Sequence, residues 1–246
     1  MKAVKADLHI HTVLSPCGDL DMSPKNIVDE AYAKGLEIIG ITDHNTTLHV
    51  EVTRRLAGEK GIFVLGGAEV TTREEVHCLA FFPDDDALGE FQKFIDENQP
   101  FIPNNVETFG HQAWVDENEQ IIKLIDKLLI TGINKSINDV EKEVHRLGGI
   151  FMPAHIDKAV NSIISQLGFL PPKLKVDALE ISSFAAENEI RKKFFIPGEI
   201  TVAKNSDAHY LPDIGKTYSI FQLKDINFQE IKLALASVQG RKVVCH

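Results

Sequence analysis

Short apolar runs alternate with longer amphipathic ones along this chain. Residues 3–9, 37–42, 62–66, 76–82, 149–153, 178–182 and 201–205 have the length and the β-branched content of strands. Several of them are apolar on both faces, the pattern of strands buried in a parallel sheet. Between them lie helical patterns with recognisable ends. Ser23-Pro24 offers an N-cap with proline at the first helical position, and Gly35 suits the position just past the end. Ser136 precedes Ile137, Val140, Val144 and Leu147, an apolar stripe that Gly148-Gly149 stops. Residues 118–129 and 227–238 read as further helices with mixed apolar and charged faces.

Alternating β and α units predict a parallel sheet, open or closed into a barrel. With no repeat, low-complexity tract or flexible linker, residues 1–246 are expected to form one domain. The least regular stretch, residues 98–117, holds two prolines, an Asn-Asn pair, His111 and Trp114. It reads either as a long insertion loop of the kind that becomes a lid or as a variable surface loop.

Composition narrows the function classes. Apolar residues make up 43% and charged residues 25%, which excludes a disordered chain. The net charge of −10 argues against a track for long duplex nucleic acid, yet a small anion is still admissible where bound cations reverse the local field. Cys17, Cys78 and Cys245 are scattered, without CxxC spacing, as in a reducing compartment. No signal-type segment and no membrane-length apolar run is evident, so a cytoplasmic protein with no membrane partner is expected.

The informative chemistry is where histidines and acids fall. His9 and His11 form an HxH pair at the end of the first strand, and alternate strand residues point the same way. His44 follows the second strand, Glu69 the third, and His77 starts the next. His155 ends a later strand, and Asp207 and His209 end the last with the same period of two. Read alone, each histidine is more often an ordinary hydrogen-bonded residue, an isolated HxH is a weak signal, and an Asp-His pair after a strand can be a capping turn. Together they meet at one end of an α/β sheet, where active sites lie. Burying so many imidazoles and carboxylates without cations is costly, and this donor set suits zinc, manganese or iron.

The segments Asp7-Leu8-His9-Ile10-His11-Thr12, Ile41-Thr42-Asp43-His44-Asn45, Gly67-Ala68-Glu69, Val76-His77, Pro153-Ala154-His155 and Asn205-Ser206-Asp207-Ala208-His209 closely resemble, in order, the motifs of the PHP (polymerase and histidinol phosphatase) superfamily. The resemblance runs from residue 1 to about residue 215. It implies an α/β fold of the PHP type, a distorted (β/α)7 TIM-like barrel, with two or three divalent metal ions and phosphoesterase activity. By position, His9, His11, Glu69 and Asp207 would bind one ion, His44 and His209 a second, and His77 with His155 a third, Glu69 bridging. The family supplies a further ligand to the second ion five or six residues after the HxH. Here that stretch reads Ser15-Pro16-Cys17-Gly18-Asp19. Asp19 is favoured because a carboxylate suits hydrolytic chemistry, with Cys17 as the competing donor.

The resulting expectation is cleavage of a phosphomonoester of a small metabolite or nucleotide by a metal-activated hydroxide. Asp207 and His209 would orient the nucleophile or relay a proton. Asp7 and Asp43 would orient ligand imidazoles from behind, and Arg73 and Lys158 would bind phosphate. The alternatives are a phosphodiesterase or exonuclease acting on short oligonucleotides, and a metal-binding regulatory module without catalysis.

Overall fold

The computed structural model describes residues 1–246. Its strands are Lys2–Ile10 (β1), Ile38–Ile41 (β2), Phe63–Thr71 (β3), His77–Phe81 (β4), Ala113–Val115 (β5), Ile121–Leu124 (β6), Ile150–Pro153 (β7), Leu179–Ile181 (β8), Val202–Lys204 (β9), Ser219–Leu223 (β10) and Lys242–Cys245 (β11). A seven-stranded sheet runs in the order β11-β10-β1-β2-β3-β4-β7. It curls, and a parallel β8-β9 pair spans the gap between β7 and β1. On one side Asp177 N–H donates to Phe151 O at 3.0 Å and Ile156 N–H to Glu180 O at 2.9 Å. On the other, Ala208 N–H donates to His9 O at 3.2 Å and His11 N–H to Ala208 O at 3.0 Å. These seams close a distorted TIM-like barrel of the expected α/β class, and no helix is long and apolar enough to cross a membrane.

Two details differ from the sequence expectation. The sheet is not all parallel: β3 and β4 form an antiparallel pair, as do β4 and β7. Only five residues, Thr72–Val76, separate β3 from β4, too few for the crossover a parallel pair needs. Residues 118–129 are not helical. Asp116 accepts Asn118 N–H and Gln120 N–H, forming a turn that folds β6 back on β5. Ile121, Ile122 and Leu124 are all exposed there, so no helix face has a core to bury against.

Inner and outer faces follow strand parity. Val4, Ala6, Leu8, Ile38, Leu65, Leu79, Phe81, Met152 and Ala203 form the interior cluster, closed from below by Ile231 and Leu235 of the helix Phe228–Leu235. The outer faces carry Ile39, Ile41, Val64 and Val70, in one cluster with Ile27, Val28 and Ala31 of the helix Pro24–Ala33 and Val50 and Ala57 of the helix Val50–Gly58. Strands pack closely enough that Gly40 has no room for a side chain, since a Cβ would lie 2.2 Å from Leu8 O.

Candidate metal centre

A β-bulge in β1 aims the HxH pair. Ala6 faces Ile38 and Asp7 faces Ile39, but the next partners are Ile10 and Ile41, one residue extra on β1. The inner side therefore switches from Ala6 and Leu8 to His9 and His11, while Ile10 joins the outer cluster. Glu69 shares the inner face of β3 with Leu65. His77 starts antiparallel β4 and so lands at the same end of the barrel as the residues that finish β1 and β3.

Glu69 is the hub. One oxygen lies 3.0 Å from His77 Nδ1, 3.1 Å from His155 Nε2 and 3.4 Å from His9 Nε2. The other lies 3.0 Å from His44 Nδ1 and 3.4 Å from His11 Nε2. Asp207 approaches from the opposite side, 3.3 Å from His9 Nε2 and 3.4 Å from His11 Nε2. His209 stacks on His11 with ring centroids 4.3 Å apart. Its Nδ1–H donates to Asp207 O at 2.8 Å, which leaves Nε2 as the free donor atom. His155 and Asp207 both adopt positive φ, 29° and 52°, a strained backbone for non-glycine residues and one that clusters at functional sites.

The electrostatics describe a centre built for cations. Burial opposes the charge on Glu69, but His77, His9 and His44 outweigh it and hold the carboxyl well below its ordinary range. Burial likewise opposes charge on His9, yet Glu180, Asp207 and Glu69 raise its pKa well above the usual value. His11, desolvated and beside His209 and His44, goes the other way. Two buried imidazole nitrogens, His77 Nε2 and His155 Nδ1, have no hydrogen-bond partner. His9, His11 and Glu69 form one group with donor atoms within 4.8 Å of one another, His44, Glu69 and His77 a second, and His11, Cys17, His44 and His209 a third. Imidazoles with carboxylates, and one thiol, are the donor set that first-row divalent ions take.

The surrounding shell was only partly anticipated. Asp43 accepts Thr12 N–H at 2.7 Å and Ser15 Oγ–H at 2.6 Å, and Ser15 Oγ in turn accepts His11 Nδ1–H at 3.0 Å. This relay fixes the His11 tautomer with Nε2 facing inward. Asp7 does a different job from the one expected. It accepts Ser206 N–H at 2.9 Å and Gly215 N–H at 2.8 Å, tying backbone rather than imidazole, and burial pushes its carboxyl up to about 6. The residue that orients His9 is Glu180, absent from the sequence reading. Its oxygens lie 3.0 and 3.1 Å from His9 Nδ1, and they also accept His155 N–H at 2.9 Å and Asn205 Nδ2–H at 2.8 Å. The available signal was a charged residue between Leu179 and Ile181 in an otherwise apolar strand.

His49 is a neutral linker. Its Nε2 accepts Val115 N–H at 3.0 Å and its Nδ1–H donates to Thr12 Oγ1 at 2.6 Å, so that residues 98–117 are tied to the loop after β1. Burial lowers its pKa to about 3.

Three sequence candidates fall differently from the rest. Asp19 is not brought to the cluster: its N–H donates to His209 O at 2.9 Å, and its carboxylate turns outward to accept Asp21 N–H. Cys17 takes that place beside His11, His44 and His209. The preceding turn depends on Gly18, where a Cβ would meet Thr12 O at 2.4 Å. Arg73 lies in the β3–β4 turn, its guanidinium 64% exposed and 3.8 Å from Glu74, and lines no cleft at the cluster. Lys158 does reach the cluster, where it pairs with Asp207. With His155, Asp207 and His209 it lines both a cleft of about 400 Å³ that extends to Ser182 and Phe184 and one of about 210 Å³ over Cys17, His44 and Glu69.

A family profile described as the PHP domain matches residues 7–164. The uncharacterized protein YqxK of Bacillus subtilis is 25% identical over 281 residues, a match covering 100% of this chain and 65% of that protein. A 5'-3' exoribonuclease of Haemophilus influenzae is 35% identical over 103 residues, covering 39% of this chain and 36% of its own. Among solved structures, the lesion-specific endonuclease EndoQ from Pyrococcus furiosus superposes with a TM-score of 0.72 at 21% identity, over 98% of this chain and 58% of its own. Endonuclease Q in complex with a 27-mer duplex substrate gives 0.70 at 22% identity, with the same coverage. At such identities the structural likeness concerns the fold alone. The chain spans 65% of the length of YqxK and 58% of EndoQ.

Proposed function

The chain belongs to the PHP domain family, and from that premise we propose that residues 1–246 form one metal-dependent phosphoesterase unit. Its substrate in this reading is a phosphomonoester of a small metabolite or nucleotide, hydrolysed at a centre of two or three divalent ions, zinc, manganese or iron. The observation that carries the reading is Glu69, a single buried carboxylate within 3.4 Å of five imidazoles and faced by Asp207. A regulatory module without catalysis needs no such hub beside an open cleft.

In this reading His9, His11, Glu69 and Asp207 hold one ion, His44 and His209 a second, and His77 with His155 a third. When bound, such ions supply the positive charge that acidifies water and neutralises phosphate oxygens. The chain's own residues do the rest. Glu180 and the Ser15–Asp43 relay keep the His9 and His11 tautomers with Nε2 inward. Lys158, already against Asp207, binds a non-bridging phosphate oxygen at the cleft mouth. Asp207 orients the attacking water, and His209, with its Nδ1–H fixed on Asp207 O, keeps Nε2 free to serve as a ligand on the cleft side.

A second reading, hydrolysis at the end of a short oligonucleotide, is favoured by Phe184. Its side chain is fully exposed and lines the 400 Å³ cleft, where a base could stack for about 1–3 kcal/mol. The nuclease activities of the Haemophilus influenzae exoribonuclease and of EndoQ agree with it. The chain's charge of −10 restricts this reading to short single strands; endonuclease Q, which is bound to a duplex in its complex, is a longer protein.

The test is to count bound metals and assay phosphomonoesters, nucleotides and short oligonucleotides side by side, with His9→Ala and Asp207→Ala as comparators. Both variants are expected to lose metal and activity together. Full metal content and full activity in either would place the centre elsewhere.

A further inference from the structure

We propose that Cys17 is a thiolate ligand of the second ion, making this corner of the centre a sulfur-bearing site selective for zinc, iron(II) or cobalt(II) over magnesium and manganese. The inference rests on the metal-centre reading above and deepens it by assigning the donor that the HxH loop contributes.

Four donors, from His11, Cys17, His44 and His209, lie within 4.8 Å of one another. His11 belongs also to the group with His9 and Glu69, but its Nδ1 is occupied by Ser15, so its one free nitrogen can serve a single ion. Assigned to the first ion, it leaves Cys17, His44 and His209 for the second. Three protein ligands with an open position are the pattern of a catalytic rather than a structural zinc site. His44 is 3% exposed, its Nδ1 faces Glu69 at 3.0 Å, and its ring lines the small cleft together with Cys17.

The loop is built to deliver the sulfur. Ser15 N–H donates to Thr12 O at 3.1 Å and Gly18 N–H to Ser15 O at 2.9 Å, two consecutive tight turns with Cys17 at their tip. Asp19 is then fastened to His209 through its backbone, which turns its carboxylate outward and leaves the thiol as the loop's donor at the cluster. On binding, the S–H bond is exchanged for a sulfur–metal bond and the proton leaves to solvent, with no change of oxidation state. A thiolate among imidazoles favours borderline-soft ions and disfavours hard ones that prefer oxygen.

Cobalt(II) is the probe, because thiolate coordination gives an intense near-ultraviolet charge-transfer band that nitrogen and oxygen ligands do not. The full chain loaded with cobalt should show this band. Cys17→Ser should abolish it, Cys245→Ser should keep it, and Cys17→Asp should keep the ion count without the band and bind manganese better. A wild-type protein that binds cobalt fully without the band, or a band that survives in Cys17→Ser, overturns the assignment and leaves the phosphoesterase reading standing. A wild-type protein that binds no divalent ion overturns both.

Discussion

Replacing Glu180 by glutamine tests whether the centre depends on the carboxylate behind it. Glu180 is 1% exposed, and its hydrogen bonds go to His9, His155 and Asn205. Its two oxygens accept three donors: His9 Nδ1–H, His155 N–H and Asn205 Nδ2–H. A glutamine of the same shape keeps one acceptor oxygen and substitutes an NH2 group that must face either the His155 N–H or the Asn205 amide, donor against donor. The charge that holds the His9 Nδ1–H is also gone. A hydrogen bond to a charged group contributes about 1.5–3 kcal/mol. Removing a carboxylate that orients a ligand imidazole costs about 10–100-fold in metal affinity, or about 1.4–2.8 kcal/mol at 1.4 kcal/mol per tenfold. The two figures overlap, so a Glu180→Gln loss near the middle of that range is expected at the ion His9 holds, and not at ions held by other residues. Competition against a chromogenic chelator, with ions counted at saturation, reads this directly. If every ion the variant binds stays within about twofold of its wild-type affinity, Glu180 does not orient His9 and the proposed first-ion ligand set is wrong.

Other outcomes follow from the same geometry. Lys158→Ala should raise KM for a phosphomonoester about tenfold while kcat changes far less, because a phosphate contact is lost but the nucleophile is not; an unchanged KM would put Lys158 outside the substrate's path. His49, with its pKa at about 3 in the fold against an ordinary 6.5, leaves the unfolded chain alone able to take up its proton as the pH falls below 6.5. Stability should then drop by about 1.4 kcal/mol per pH unit toward pH 3 on account of this group. His49→Gln should be about 1 kcal/mol less stable at neutral pH yet lose that slope, and parallel urea-unfolding profiles for the two proteins at pH 7.5 and 5 would contradict the assignment. Gly40→Ala, whose methyl would sit 2.2 Å from Leu8 O, should cost about 3 kcal/mol or more in a thermal melt; an unchanged melting temperature would mean β1 and β2 are less tightly apposed than described.

Much of the site was legible because strand ends leave a clear trace: an apolar run, then a donor, repeated along the chain. His9, His11, His44, Glu69, His77, His155, Asp207 and His209 all follow or begin such runs, and the fold gathers them. Errors arose where long-range geometry decides. Residues 118–129 carry a helical rhythm, but the Asp116 turn and the absence of any surface to bury Ile121 and Ile122 make them a hairpin. Asp19 has the right chemistry and the wrong direction, which the His209 backbone imposes from nearly two hundred positions away. Glu180 was invisible for a related reason: one acid in an apolar strand announces burial, but its partner His9 is 171 residues distant.

The HxH pair shows how a correct inference can omit its own mechanism. Period-two alternation requires His9 and His11 to share a side of β1, and they do. Alternation alone would also put Ala6 and Leu8 on the opposite side from His9, so an unbroken strand with its apolar residues facing the barrel would turn both imidazoles out toward the helices. The extra residue between Asp7 and Ile10 removes that conflict by switching faces once, with Leu8 inside and His9 inside. A bulge sacrifices ladder hydrogen bonds, and here Thr42 Oγ1 takes up one of the freed groups, accepting Ile10 N–H at 3.2 Å. Buried imidazoles that fold inward only through such a device gain nothing in stability from being there. Their position makes sense as a commitment to a cation, with the apolar barrel below supplying the stability and the bulge separating the two roles.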